Sequence, residues 1–220
     1  MFLMLKDVLS PAEVAQIRDI AGRVRFVDGR VSNPHNTTKN NLQADITQPE
    51  ANRASQIAAA AIARSAEFKD FAFPKRVAPP LLSRYEPGMT YGPHTDAPTM
   101  PMVPAPLRAD VSATLFIAEP SSYDGGELAI HLGTEQLTAK GEPGSMIVYP
   151  SSTIHEVMPV TRGARVAMFT FIESTIPNPA HRDLLYQLGE VHALEGLKMD
   201  WQSRTRIQHV MANLQRMWTV

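Results

Sequence analysis

Cysteine is absent from all 220 residues. Its absence excludes disulfides, thiol nucleophiles and cysteine-ligated structural zinc, and fits a reducing compartment. Long apolar runs are missing too. No stretch approaches the roughly 20 residues of a membrane span, and Met1-Phe2-Leu3-Met4-Leu5 is too short and lacks the basic start of a signal-peptide core. Neither sign of charge prevails: 21 Lys and Arg stand against 22 Asp and Glu, for a net charge of −1 and a pI near 6.7. Electrostatics therefore makes no case for nucleic acid or an anionic membrane as a partner. Arg204, Arg206 and Arg216 read as a solvated helix face. These absences lead us to expect a cytoplasmic protein. A hydrophobic content of 44% supports a folded core, and a chain of this length buries about 70% of its unfolded surface.

The chain changes texture twice. Ser10-Pro11-Ala12-Glu13 is a capping box with proline at the first helical position, and Leu9 is placed to staple against Val14. Val14, Ile17, Ala21 and Val24 then mark one buried face. Asp28 to Thr38 reads as a loop or hairpin. Thr47-Gln48-Pro49-Glu50 forms a second capping-box pattern, opening a helix through about Ala66 whose packing side is Ala51, Ala54, Ile57, Ala58, Ala61 and Ile62. From Phe71 to Phe171 short apolar runs alternate with glycine and proline: 81–85, 111–118, 127–132, 146–149, 154–157 and 165–171. Such spacing indicates a sandwich or jelly roll. Pro98, Pro101, Pro104 and Pro106 keep 97–106 out of a central strand, leaving it a lid or a passive connector. Tyr123-Asp124-Gly125-Gly126 is a turn, and not a phosphate loop, because no helix follows it. After Thr175 the pattern is helical again. Asn178 caps a helix carrying Leu184, Leu185 and Leu188. Asp200 caps another with Ile207, Val210, Met211, Leu214, Met217 and Trp218 on one stripe, a pattern more often core than partner surface.

The fold expected is mainly β with flanking helices: a double-stranded β-helix (jelly-roll) core with N-terminal helical support and a C-terminal helical extension. The core domain is 1–175, divided into support (1–70) and jelly roll (71–175). The extension is 176–220, packed on the core or forming a homodimer contact.

Chemistry concentrates at Tyr91-Gly92-Pro93-His94-Thr95-Asp96. A histidine and a carboxylate two apart on extended backbone point to the same face, so His94 and Asp96 can close on one ion. His155, in a second strand-like run, can supply a third ligand if the sheet rolls. Two histidines and one carboxylate leave about three octahedral positions open, the arrangement of non-haem Fe(II) oxygenases. Arg165 begins the run Arg165-Val166-Ala167-Met168-Phe169-Thr170-Phe171. Its planar fork pairs with carboxylates, and mid-strand it implies an anion to meet it. A dicarboxylate held by the metal at one end and by Arg165 at the other explains all four residues together. Ala167, Phe169 and Phe171 share the parity of Arg165 and should face the same interior.

Several motifs beyond this site resemble one family. They are Lys39-Asn40-Asn41-Leu42-Gln43, Pro79-Pro80-Leu81-Leu82-Ser83-Arg84-Tyr85 running on to His94 and Asp96, Arg108-Ala109-Asp110-Val111-Ser112-Ala113-Thr114, and Tyr123-Asp124-Gly125-Gly126-Glu127-Leu128. The most specific runs from Tyr149-Pro150-Ser151-Ser152 through His155 to Pro159-Val160-Thr161-Arg162-Gly163-Ala164-Arg165, and Asn213-Leu214-Gln215-Arg216-Met217-Trp218 matches the C-terminal helix. Over nearly its whole length the chain resembles the PKHD-type hydroxylases, in the prolyl 4-hydroxylase-like branch of the Fe(II)/2-oxoglutarate dioxygenases. The resemblance implies Fe(II) on His94, Asp96 and His155, 2-oxoglutarate on Arg165 and Tyr85, and dioxygen as the oxidant, with ascorbate a candidate reductant. It also implies hydroxylation of an unactivated C–H with release of succinate and CO2, on a small-molecule or peptidyl substrate. It places Asn41-Leu42-Gln43 near the mouth of the site, although a plain strand end explains those residues equally. Phe171 stands where many relatives have tryptophan, and Glu173-Ser174 where they have Gln-Ser. Tyr91 lines the pocket or simply packs. His35, His131, His181, His192 and His209 carry no assigned role. The competing reading is a cupin-like metal-binding or iron-sensing module without turnover, which leaves Arg165 unexplained; a metal hydrolase is a third.

Overall fold

The first helix forms where its capping signal places it. In the computed structural model, which describes residues 1–33 and 36–220, the Ser10 hydroxyl accepts from the Glu13 amide and the Glu13 carboxylate accepts from the Ser10 amide, opening α1 (Pro11–Arg23). Proline at the first turn loses no hydrogen bond, since that amide has no helical partner. Val14, Ile17, Ile20 and Ala21 are buried on its inner face. His35 lies outside the described residues.

The second capping box does not form. Gln48, not Thr47, is the cap residue of α2 (Pro49–Arg64), and its side chain makes no capping bond. Thr47 is taken by Asp45, which accepts from both its amide and its hydroxyl, at 3.0 and 2.8 Å, a local turn that competes with the cap. Proline at the helix start and the apolar face carry α2 instead. Ala54, Ala58 and Ala61 are wholly buried, and their small side chains let the helix lie close to the sheet. The helix stops at Arg64, where Ser65 caps a separate α3 (Ala66–Ala72).

Two sheets face each other, and residue order along each strand sorts side chains between two cores. The larger, eight-stranded sheet runs, by neighbour, 3–5, 146–150, 111–116, 165–174, 81–85, 42–44, 26–28, with 74–77 added beside the end of 165–174. The smaller sheet runs 135–139, 128–132, 155–157, 90–94, 39–40. Their pairings are antiparallel throughout, and the fold is the expected jelly roll. On the larger sheet Leu82, Val111, Ala113, Leu115, Met146, Val148, Met168 and Ile172 face α1 and α2 in one core. The alternate residues Tyr85, Phe116, Ile147 and Tyr149 meet Leu128, Ile130 and Val157 of the smaller sheet in another. The helices thus cover the outer face and leave the space between the sheets for a site.

The first 70 residues are more than helical support. They contribute four strands, Leu3–Leu5, Phe26–Asp28, Lys39–Asn40 and Leu42–Ala44, each too short to display a period of two in the sequence. At the other end, α4 (Pro179–Glu195) meets α3 through Phe71 and Tyr186, edge to face at 5.4 Å. α5 (Trp201–Trp218) folds back on α4, where Trp218 stacks on His181 at 4.1 Å. No residue of α5 is buried. Ile207, Met211, Leu214 and Trp218 of its stripe are half-buried, away from the core, while Val210 and Met217 are 47% and 73% exposed. No helix among the described residues is long and apolar enough to cross a membrane.

Arg64, at the end of α2, donates to Glu13 at 2.7 Å and so ties the start of α1 to it. That hydrogen bond, ahead of the Ser10 contacts, lowers the Glu13 carboxyl from its usual 4.5 to about 2. A depressed carboxyl stabilises the fold above its unfolded value and loses the contribution as pH falls toward the folded one. Glu13→Gln should therefore cost under about 1 kcal/mol at pH 7, as suits a pair open to solvent. Chemical denaturation across pH should find the deficit constant above pH 4.5 and gone near pH 2.

Candidate metal centre and co-substrate pocket

The 155–157 strand pairs with the 90–94 strand so that His155 lies directly across from His94. Facing Cα partners on neighbouring strands share a side of the sheet, and the two imidazole centres are 4.3 Å apart. Each ring is turned by its own strand. His94 Nδ1 donates to the Gly92 carbonyl at 2.8 Å, and His155 Nδ1 to the Thr153 carbonyl at 2.9 Å. In both cases the acceptor is two residues earlier in the chain. With Nδ1 protonated and occupied, each Nε2 keeps a free lone pair.

Asp96 completes the group. Its carboxylate stands 3.9 Å from His94 Nε2 and 3.7 Å from His155 Nε2, beyond the roughly 2.7–3.2 Å of a hydrogen bond. The donor atoms of all three lie within 4.8 Å of one another. Two free imidazole nitrogens converging on a carboxylate without bonding it fit a divalent metal between them. Oδ1 is the oxygen nearer His94, while Oδ2, the one nearer His155, also accepts from Ser112 Oγ at 2.5 Å. Ser112 shares a hydrogen bond with Ser151 Oγ at 2.7 Å, and the Ser151 carbonyl accepts the Asp96 amide at 3.2 Å. The ligand is therefore held at both its side chain and its backbone. Sequence reading quoted Ser112 and Ser151 within motifs but gave them no part in this network. Their signal was weak: one serine sits in a strand buried at every residue, the other in a turn.

Arg165 stands on the inter-sheet face of the larger sheet, and its charge reaches Tyr149, whose ring lies 4.9 Å from that of His155. Arg165 is 2% exposed, yet Nε has no hydrogen-bond partner, and among the described residues no carboxylate pairs with it. Tyr85 lies directly across on the neighbouring strand, with the guanidinium 5.1 Å from its ring centre. Tyr123 and Tyr149 are close enough for the same positive charge to act on their hydroxyls. Burial pushes Tyr85 up to about 12, so it stays a neutral donor. A lone buried cation costs several kcal/mol unless an anion meets it. The Gly125-Gly126 turn makes room for it: at φ +67° a Cβ on Gly126 would stand 3.1 Å from Arg165 Cδ and 2.9 Å from Val160.

The expected parity holds along this strand. Ala167, Phe169 and Phe171 look toward the other sheet, while Met168 and Ile172 lie in the core under the helices. Phe169 and Phe171 meet edge to face at 5.9 Å. Tyr91 stacks on His94 at 3.6 Å with ring planes 13° apart, which places it at the site. Lys39, across the smaller sheet from Tyr91, also turns inward and was missed. Glu173 does not: it pairs with Arg76, which also holds the carbonyls of Ala105 and Pro106. The 97–106 segment is most of a hairpin that pairs Thr99–Met100 with Leu107–Arg108, and Arg76 anchors it at Ala105 and Pro106. His131 pairs with Glu156 at 3.0 Å, away from the site.

The profile of the 2OG-Fe(II) oxygenase superfamily matches residues 80–173, which contain all five of these predicted site residues. A PKHD-type hydroxylase of Sphingopyxis alaskensis is 49% identical over 97% of this chain and 98% of its own length. In fold the chain is similar to a Pseudomonas putida prolyl-4-hydroxylase, with a TM-score of 0.52, 20% identity, and 79% of this chain and 92% of that one covered. It is also similar to a Trichoplax adhaerens prolyl hydroxylase in complex with a hypoxia inducible factor peptide, with a TM-score of 0.58, 15% identity, and 79% and 83% covered.

An ordinary histidine would lose a metal below about pH 6. Burial, followed by the His155 charge, lowers His94 to about 4. Burial also raises Asp96 above its usual 3.8. In metal-free protein, the His94 ring nitrogens should accordingly report a neutral Nδ1–H imidazole at pH 5.5. A titration followed by nitrogen-15 shifts should have its midpoint near 4, and one near 6.5 would mean that the ring is solvated.

Proposed function

Because the chain belongs to the PKHD-type hydroxylases of the 2OG-Fe(II) oxygenase superfamily, we propose that His94, Asp96 and His155 hold the Fe(II) and that Arg165 and Tyr85 receive 2-oxoglutarate. The reaction is hydroxylation of an unactivated C–H, with succinate and CO2 released. The observation that carries this reading is Arg165: a buried guanidinium without a carboxylate, opposite three converging metal donors. A dicarboxylate supplies the missing anion and reaches toward the metal with its other end.

When bound, Fe(II) with dioxygen and 2-oxoglutarate supplies the oxidising chemistry. The chain's own residues set where it happens. The Gly92 and Thr153 carbonyls keep both imidazoles neutral at Nε2, and Ser112 fixes the carboxylate. Arg165 takes one end of the co-substrate through parallel N–H donors, and the neutral Tyr85 hydroxyl donates beside it. Phe169 and Phe171 form an apolar wall that limits water and stray oxidation. A metal-sensing module without turnover would leave Arg165 buried at a cost with no return.

Thermal unfolding with Mn(II) as an inert substitute tests the assignment. 2-Oxoglutarate should raise the transition temperature of wild-type protein only when the metal is present. Arg165→Met should lose about a hundredfold in 2-oxoglutarate affinity, the worth of a charge-assisted pair. The same variant should be at least as stable as wild type without ligand, because it removes an uncompensated buried charge. With Fe(II) and oxygen, wild type should release succinate and Arg165→Met should not. An unchanged 2-oxoglutarate affinity in the variant would refute the role of Arg165.

A further inference from the structure

A second buried cation faces the same space and has no assigned partner. Lys39 is 5% exposed. Its ammonium donates to Ser32 Oγ at 2.6 Å; among the described residues it makes no other hydrogen bond and no ion pair. The acids whose charge it feels are committed elsewhere, Asp28 to Arg30 and Asp96 to the metal donors. The ammonium lies 5.2 Å from the Tyr91 ring centre and 5.9 Å from that of Phe169. Tyr91 is the ring stacked on His94, and Phe169 is on the Arg165 face of the opposite sheet, so Lys39 stands one aromatic ring from the metal donors.

Gln43 lies nearby along the chain. It is 4% exposed, and its Nε2 has no partner. It pairs with Ser83, and Ser83 with Ala167, so Gln43 sits on the sheet face that carries Arg165. Two side chains of one short segment, each more than nine-tenths buried, thus hold unused N–H donors toward the inter-sheet space.

We propose that Lys39 and Gln43 form the subsite for the substrate to be hydroxylated, and that this substrate carries a carboxylate. The inference rests on the Fe(II)/2-oxoglutarate assignment above. Charge favours a monoanion. The dication, Asp96, Arg165 and the 2-oxoglutarate dianion balance, and Lys39 leaves one positive charge in excess. One ammonium and one amide match a carboxylate better than a phosphate dianion, and a neutral internal peptide segment would leave the ammonium buried and unpaired. Tyr91 and Phe169 supply apolar walls between the anion and the metal, where the carbon to be oxidised would lie. A small carboxylic acid and a peptide ending in a free carboxylate share this chemistry.

The test uses full-length protein loaded anaerobically with Mn(II) and 2-oxoglutarate. The probes are N-acetyl derivatives of alanine, valine, leucine, proline and phenylalanine, each as free acid and as carboxamide. Tripeptides with the same residues at a free or amidated C-terminus separate the two sources. Equilibrium binding should favour at least one free acid over its amide by about tenfold or more, the worth of a charged hydrogen bond. Lys39→Met should erase that preference while changing 2-oxoglutarate affinity by less than about threefold. Lys39→Arg, which keeps the charge, should retain a preference, and Gln43→Ala should weaken acids and amides alike. The proposal is overturned if no free acid is preferred in wild-type protein, or if Lys39→Met weakens 2-oxoglutarate as much as it weakens the acids. Loss of 2-oxoglutarate binding in wild type itself would instead bring down the assignment beneath it.

Discussion

The antiparallel pairing that sets His155 across from His94 is the constraint on which the site depends. A slip of one residue would turn one imidazole to the opposite face of the sheet, because side chains alternate. The register is guarded on both sides of the 155–157 strand. Leu128 and Ile130 pair with Val157 and His155, and both are buried between the sheets. Moving the ligand would also expose that core. Metal geometry and hydrophobic burial are therefore two consequences of one strand register.

Within that register each histidine is aimed by a local device. The carbonyl two residues upstream takes Nδ1–H in both cases, so ring orientation needs no distant partner. Asp96 is different. It lies two residues past the end of the 90–94 strand, and it depends on Ser112 and Ser151 from two other segments. The carboxylate is thus the ligand most exposed to changes elsewhere in the fold. The anchored hairpin that follows it, tied down through Arg76 and Glu173, limits how far that segment can move.

How much of this could be read from the chain depended on whether a residue's neighbours in sequence were also its neighbours in space. The Arg165 parity and the first capping box are local, and each stands as read; His94 and Asp96 come together, although the strand ends at His94 and Asp96 lies beyond it. The 81–85 and 165–171 runs were long enough to show strand character. Nothing local marked Lys39 or Ser112, and Gln43 came forward only through the family resemblance, since what matters about all three is which strand lies alongside. Their strands, or the partners that define them, come from far along the chain. The failed box at Thr47 is instructive in the opposite sense: a motif match was overridden by Asp45, two residues outside it. For α5 the helix stands where it was expected, but its stripe is at most half-buried and packs on α4 rather than the core, with Val210 and Met217 exposed, a distinction that periodicity does not carry.

The two buried cations give the pocket its polarity. Arg165 and Lys39 approach from different sheets, and Asp96, the carboxylate of the metal-donor group, is held by Ser112 rather than by either cation. A fold selected only for stability would replace both with apolar residues of similar size, since the tyrosines and phenylalanines around them already provide a dry lining. Retaining positive charge in that lining lowers the stability of the empty pocket and raises its affinity for anions. The larger sheet tolerates this cost because its outer face buries mainly apolar residues against α1 and α2, with Thr170 there bonded to the Ala78 carbonyl, leaving the inner face free to carry polar groups. Division of labour between the two faces of one sheet is what lets the same strand, 165–174, serve as both the centre of the core and the floor of the site.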